Sequence, residues 1–279
     1  MKLISFLSFL SFITFIITQS FGYSQDYLNP YEGFAKGDTL YAFADNTPMY
    51  SGPNTMSKLV TEIRLNQVIT IASEREQDFS IEYNSNEFLH VNFKGKKGFI
   101  QRKHLATKQL IYTPSKTLML FQFALNSDRQ YELRYNEYSN NELILTMALP
   151  MYSNACNVYL EDTHGLDSVT AFLVVDHFSE ACGVNGGLDY YVWNPGELAE
   201  MAALFEVGDG GVYSLIERFI FPSDPEGLPD KVIFESVEEN VYDEDTEWGS
   251  TLNTHRVYQW VYGNLYPEFK KSFEEEVEE

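Results

Sequence analysis

Basic residues are scarce in this chain: 19 Lys and Arg stand against 41 Asp and Glu in 279 residues, a formal net charge of −22. The deficit is uneven, since residues 37–108 hold nine basic against eight acidic side chains and residues 109–279 hold eight against thirty-one. A surface that acidic repels nucleic acid and anionic lipid, so neither is expected as a partner. Cysteine is nearly absent, with only Cys156 and Cys182, and no cysteine stands near the N-terminus to carry a lipid. Gly-x-Ser-x-Gly, a phosphate loop and a dinucleotide fingerprint are all missing. So are a helical His pair four residues apart and an ordered Asp-x-Asp-x-Asp-Gly calcium loop. These absences leave no catalytic residue, metal ligand or cofactor site that the sequence can assign.

What is present describes an exported, folded protein. An aromatic content of 15% and a hydrophobic content of 44% exclude a disordered chain. Met1-Lys2 leads into an apolar run, Leu3 to Ile17, broken only by Ser and Thr and followed by Gln19, Gly22 and Ser24. A short basic start, an apolar stretch and small residues at a polar boundary make a secretory signal peptide over 1–24. The mature chain is expected to begin near Gln25 and to be secreted or periplasmic, with no membrane span after cleavage. An uncleaved anchor is the alternative, because the run extended to Phe21 approaches spanning length. About 255 mature residues suggest one to three domains.

Residues 37–108, after a linker over 25–36, carry the most legible pattern. Ser51-Gly52-Pro53-Asn54 must turn, because a residue free to take positive φ precedes one locked near −65°. Val68 to Ile71 is a short β-branched run, and in Phe88 to Phe93 the residues Leu89, Val91 and Phe93 alternate with His90 and Asn92, as in a half-buried strand. Lys94-Gly95-Lys96 is a tight connection to Gly98-Phe99-Ile100, which makes a β-hairpin. Short strands with turns between them predict a small antiparallel barrel, with Ile71 and Val91 inside.

The Ser-Gly-Pro-Asn-Thr turn, Ser57-Lys58 with an aliphatic pair, and the closing Gly-Lys-Lys-Gly-Phe-Ile hairpin with Leu105 after it resemble a bacterial SH3-like (SH3b) domain. The likeness covers about a quarter of the chain. Tyr50 stands where the family usually has Arg, Asn66 where it has Gly, and a polar insertion, Glu74 to Glu87, lengthens one loop. The resemblance implies a non-catalytic module that binds cell-wall peptide or an envelope protein in a shallow groove. Tyr50, Asn54, Phe88 and Phe99 are the expected contacts, and Lys94, Lys96, Lys97, Arg102 and Lys103 are the expected basic rim. The opposing reading makes Phe88 and Phe99 core residues and the lysines solubilising.

Leu110 to Ser115 reads as a connector to an acidic all-β domain over 115–270, closed by an acidic tail at 271–279. Strands are predicted at Thr117–Ala124, Gln130–Tyr135, Glu142–Leu149, Asn157–Leu160, Thr170–Val175 and Leu188–Trp193. Glu197 to Phe205 has strong helix propensity, with Asn194-Pro195 placed like a cap. Against that, Tyr191-x-Trp193-x-x-Gly196-x-Leu198 echoes Tyr258-x-Trp260-x-x-Gly263-x-Leu265, which reads as strand, turn and return strand. Glu197 to Phe205 is therefore read as a strand. The whole is all-β: a small SH3-like barrel followed by a larger antiparallel β domain.

Cys156 and Cys182 are expected to pair, as exported cysteines usually do, closing a loop of about 26 residues worth roughly 3 kcal/mol. A cysteine nucleophile is disfavoured because Ala181-Cys182-Gly183 sits in a Gly/Asn loop with only His255 downstream. Glu161-Asp162-Thr163-His164, Asp176-His177 and the Pro/Gly-rich Asp224 to Asp230 read as solvated loops rather than metal sites. Two alternatives stay open beside the non-catalytic binding protein. One is a wall or polysaccharide hydrolase using a carboxylate pair in the C-terminal domain, and the other is a calcium-dependent structural or adhesion protein.

Overall fold

The computed structural model describes Leu28 and residues 34–73, 86–126, 128, 130–153, 155–178, 182–243 and 248–270. The signal peptide, most of the linker, most of the Glu74–Glu87 insertion and the acidic tail lie outside the described residues. What is described is all β apart from a single 3-10 turn, Arg102–His104, and none of its helices is long and apolar enough to cross a membrane.

The N-terminal sheet has seven strands: β1 (Thr39–Ala42), β2 (Thr47–Tyr50), β3 (Leu59–Ile63), β4 (Val68–Ile71), β5 (Phe88–Phe93), β6 (Lys96–Gln101) and β7 (Leu105–Ala106). Their order is β3-β2-β6-β5-β4-β1-β7, and the edges β3 and β7 do not pair, so the expected barrel is an open sheet. It still curls around one core, because Ile63 from one edge and Leu105 from the other pack in the same cluster as Leu40, Met49, Ile69 and Val91. The β5–β6 connection is tight as expected but takes only two residues, with Lys94 at φ 50° and Gly95 at φ 82°, the pair of positive angles that a type I′ hairpin demands, and Lys96 already in β6. Gly98 lets β6 approach β2: a Cβ there would lie 2.7 Å from both Met49 Cγ and the Tyr50 carbonyl oxygen.

The first half of the stretch read as a connector, Leu110 to Tyr112, is strand. β8 (Lys108–Tyr112) pairs with β9 (Thr117–Leu125), and with β10 (Tyr131–Ser139) and β11 (Glu142–Pro150) it makes a four-stranded sheet in the order β11-β10-β9-β8. The expectation failed because Pro114 marks the β8–β9 turn rather than a linker. Eight strands follow in strict sequential order: β12 (Cys156–Glu161), β13 (Ala171–His177), β14 (Gly186–Asn194), β15 (Glu197–Asp209), β16 (Tyr213–Ile220), β17 (Lys231–Asp243), β18 (Trp248–Val261) and β19 (Asn264–Tyr266). Both halves of the sequence echo are hairpins in one register, with Trp193 opposite Leu198 and Trp260 opposite Leu265. Glu197 to Phe205 is a strand, its helix propensity overridden by pairing with β14 along its length.

One face of β12–β14 packs on the four-stranded sheet through Phe121, Leu133, Tyr135, Val158, Leu173 and Trp193. The opposite face belongs to a second core, where Phe172, Tyr190, Phe219, Phe221, Phe234 and Trp260 meet as the meander folds over itself. Between the sheets lies a fully buried carboxylate, Glu137. It accepts hydrogen bonds from Tyr135 Oη at 2.6 Å, Trp193 Nε1 at 3.0 Å and the Gly196 N–H at 2.9 Å, so three fixed donors satisfy its two oxygens. The N-terminal sheet is locked to the middle one rather than strung on a linker: Leu65, Ala106, Leu120 and Tyr138 cluster together, and the Gln122 amide donates to the carbonyls of Arg102 and Leu105 at 2.9 and 2.6 Å.

Candidate ligand-binding surface

The period-two alternation of β5 sends Leu89, Val91 and Phe93 inward and Phe88, His90 and Asn92 outward. Register then builds a row across four strands on the outer face: Leu59 on β3 is opposite Tyr50 on β2, Tyr50 opposite Phe99 on β6, and Phe99 opposite His90 on β5. His90 and Phe99 stack with ring centroids 4.9 Å apart, and Tyr50 meets Phe88 edge-on at 6.2 Å. Tyr50, Phe88, His90 and Phe99 are all half-buried, and Leu59 is 45% exposed. None of the four rings belongs to the core beneath. At the strand spacing of about 4.8 Å the row is about 15 Å long, enough to seat a few residues of extended chain.

The other expected contacts divide. Lys97 lies on the same outer face, opposite Asn92 and next to the His90–Phe99 pair, whereas Lys96 pairs with Phe93 at the hairpin end and Lys94 sits over the Phe93 ring at 4.9 Å. All three are exposed. Asn54 is a turn-former: its Oδ1 accepts the Met56 N–H at 3.0 Å and its carbonyl accepts the Ser57 N–H. Arg102 does not join the rim, because it is buried against the Phe34 ring at 5.1 Å with Glu87 at 3.6 Å. Sequence reasoning passed over His90 and Leu59 as contacts. The alternation that placed Val91 inside also placed His90 outside and could have found it, but Leu59 needed the β2–β3 register.

No disulfide joins Cys156 and Cys182; both are free. Cys156 is buried on β12, while Cys182 is exposed beyond the end of β13, where the next residue, Gly183, donates to the Gly208 carbonyl on β15. Three strand spacings, about 14 Å, separate β12 from β15, and a disulfide needs Cα atoms within about 7 Å. Cys156 is opposite His177, whose Nε2 lies 3.0 Å from Asp189 Oδ2, so Cys, His and Asp gather on one patch. That patch is sealed, with all three residues buried, and burial pushes the Cys156 thiol well above its ordinary range. It offers no accessible thiolate.

A shallow cleft of about 450 Å³ opens where the middle sheet meets the meander, lined by Tyr112, Glu161, Asp162, Thr163, Thr170 and Ser223 among others. Glu161 Oε2 holds His164 Nε2 at 2.7 Å, and His164 stacks on Phe221 at 4.3 Å. The hydrogen bond to Glu161 raises the His164 pKa above its usual value. Among the described residues no group of three His, Cys, Asp or Glu side chains is placed to hold a metal ion. No protein-family model, curated protein or solved structure matches the chain.

Proposed function

We propose that this is an exported, non-catalytic binding protein whose N-terminal SH3-like sheet takes an extended cell-wall peptide or envelope-protein segment on its outer face, while the acidic sheets serve as its body. The row Leu59–Tyr50–Phe99–His90 carries the reading. Solvent-facing aromatic rings in register across strands are expensive to leave wet and suit a contact surface, and Lys97 beside them favours a ligand with a carboxylate. Pelleting of the mature protein with purified peptidoglycan sacculi tests it: binding without release of soluble fragments is expected, and Tyr50→Ala should weaken it. The competing reading, a wall or polysaccharide hydrolase, draws on Glu161 and Asp162 in the cleft. Release of soluble fragments by the wild type, abolished in Glu161→Gln, would replace the binding reading with that one.

A further inference from the structure

The four-stranded sheet ends on β11, and among the described residues no strand pairs with its outer edge. Free edges recruit other strands, so proteins ordinarily guard them with charge, proline, brevity or cover. The other edges here are guarded in those ways: β3 carries Glu62, β8 carries Lys108, β7 and β19 are short, and β12 is bridged by Leu28. From Leu143 to Leu149, β11 carries no charge and no proline, and Leu143 and Ile144 are 54% and 39% exposed. Its bulge, opposite Glu137 and Tyr138, lies toward the start and leaves Leu145 to Leu149 regular.

That regular segment, Leu145-Thr146-Met147-Ala148-Leu149, alternates large apolar residues with smaller ones symmetrically about Met147. An isologous contact requires that if one residue opposes a second, the second opposes the first. Antiparallel pairing of two copies about Met147 satisfies this: Leu145 meets Leu149, Thr146 meets Ala148, and Met147 meets Met147. The faces also agree. Leu149 is buried in the core between the sheets, with Leu145 and Met147 packed against it and still partly open, whereas Thr146 and Ala148 are exposed on the other face. We propose that β11 is a self-association edge through which a second copy of this chain joins two four-stranded sheets into one of eight. Elsewhere the two copies are acidic and repel, so added salt strengthens the pairing.

Sedimentation velocity of the mature protein over a concentration series at low and high salt tests this, with two double variants as the decisive pair. Thr146→Lys with Ala148→Lys sets like charges opposite one another twice across the two-fold axis, whereas Thr146→Lys with Ala148→Glu sets opposite charges there. Both variants lose the Thr146 Oγ1 bond to Asn136 Oδ1 equally, so the fold cancels from the comparison. The wild type is expected to dimerise more at high salt, the Lys/Lys variant to dissociate about tenfold more readily, and the Lys/Glu variant to remain paired. A wild type that is monomeric throughout overturns the proposal. So does growth into open-ended aggregates, two variants that behave alike, or a lone monomer whose β11 pairs instead with another protein.

Discussion

The N-terminal sheet and the C-terminal meander place their aromatic residues oppositely. In the meander the main core is built of rings: Phe172, Tyr190, Phe219, Phe221, Phe234, Tyr258 and Trp260 all belong to one buried cluster, and the rings left outside among the described residues, Tyr242, Tyr262 and Tyr266, are tyrosines. In the N-terminal sheet the core is aliphatic apart from Phe93, while Tyr50, Phe88 and Phe99 stand on the outside of the sheet. Topology differs in the same direction. Each meander strand pairs with its sequence neighbours, whereas the N-terminal sheet joins β2 to β6 and β1 to both β4 and β7. A meander assembles from local hairpins and fills itself with large rings. The N-terminal sheet closes its smaller core around compact aliphatic residues, which leaves its rings free to meet something else.

Removing a ring from each side gives the widest contrast. Trp193→Ala should cost about 3–5 kcal/mol in urea unfolding, because it opens a cavity between the sheets and takes one donor from the buried Glu137 carboxylate. Gly98→Ala should cost about 1–3 kcal/mol by driving a methyl group into Met49 and the Tyr50 carbonyl, and should weaken ligand binding because Tyr50 is displaced. Equal losses for Trp193→Ala and Tyr50→Ala would break the contrast, since Tyr50→Ala is expected to cost less than about 1 kcal/mol while reducing binding.

A smaller effect depends on pH. The Glu161 hydrogen bond raises the His164 pKa, so the folded state holds this proton more tightly than the unfolded chain does. The resulting stabilisation is complete below the unfolded value of about 6.5 and fades as pH climbs through the higher folded value. The wild-type melting temperature should therefore fall more than that of Glu161→Gln as pH is raised from about 6 to about 8. Parallel curves would remove this pair from the account of the meander.

Six strands between Thr117 and Trp193 were legible in the sequence, all but the C-terminal end of β10 to within two residues, because alternation and turn residues are local signals, whereas β16 and β17 were not read as strands. Glu197 to Phe205 was legible only through its echo with the second Trp hairpin; its own composition pointed to helix. Lost were the strand at Lys108–Tyr112, whose hairpin turn at Pro114 was read as a connector, and two features set by distant pairing: the open edge between β3 and β7 and the three-strand separation that keeps Cys156 and Cys182 apart. Of the candidate surface, Tyr50, Phe88 and Phe99 were legible as residues, but their union into one row with His90 and Leu59 is a matter of register. Arg102 was misplaced because one charged side chain among lysines gives no sign that a ring and a carboxylate enclose it.

Leu28 forms a two-bond bridge with Cys156, donating to its carbonyl at 2.6 Å and accepting its N–H at 2.9 Å, and its side chain lies in the core between the sheets. Only four peptide steps separate it from Ser24, a reach of at most about 14 Å when fully extended. The tether from the predicted signal peptide to the fold is therefore short, whichever way that segment is handled. If it is removed, the folded body begins almost at the new terminus, and any tag fused there is held close to the Leu28-bridged flank of β12. If it is retained, that flank is berthed at the bilayer within a few residues' length, with little room to swing away.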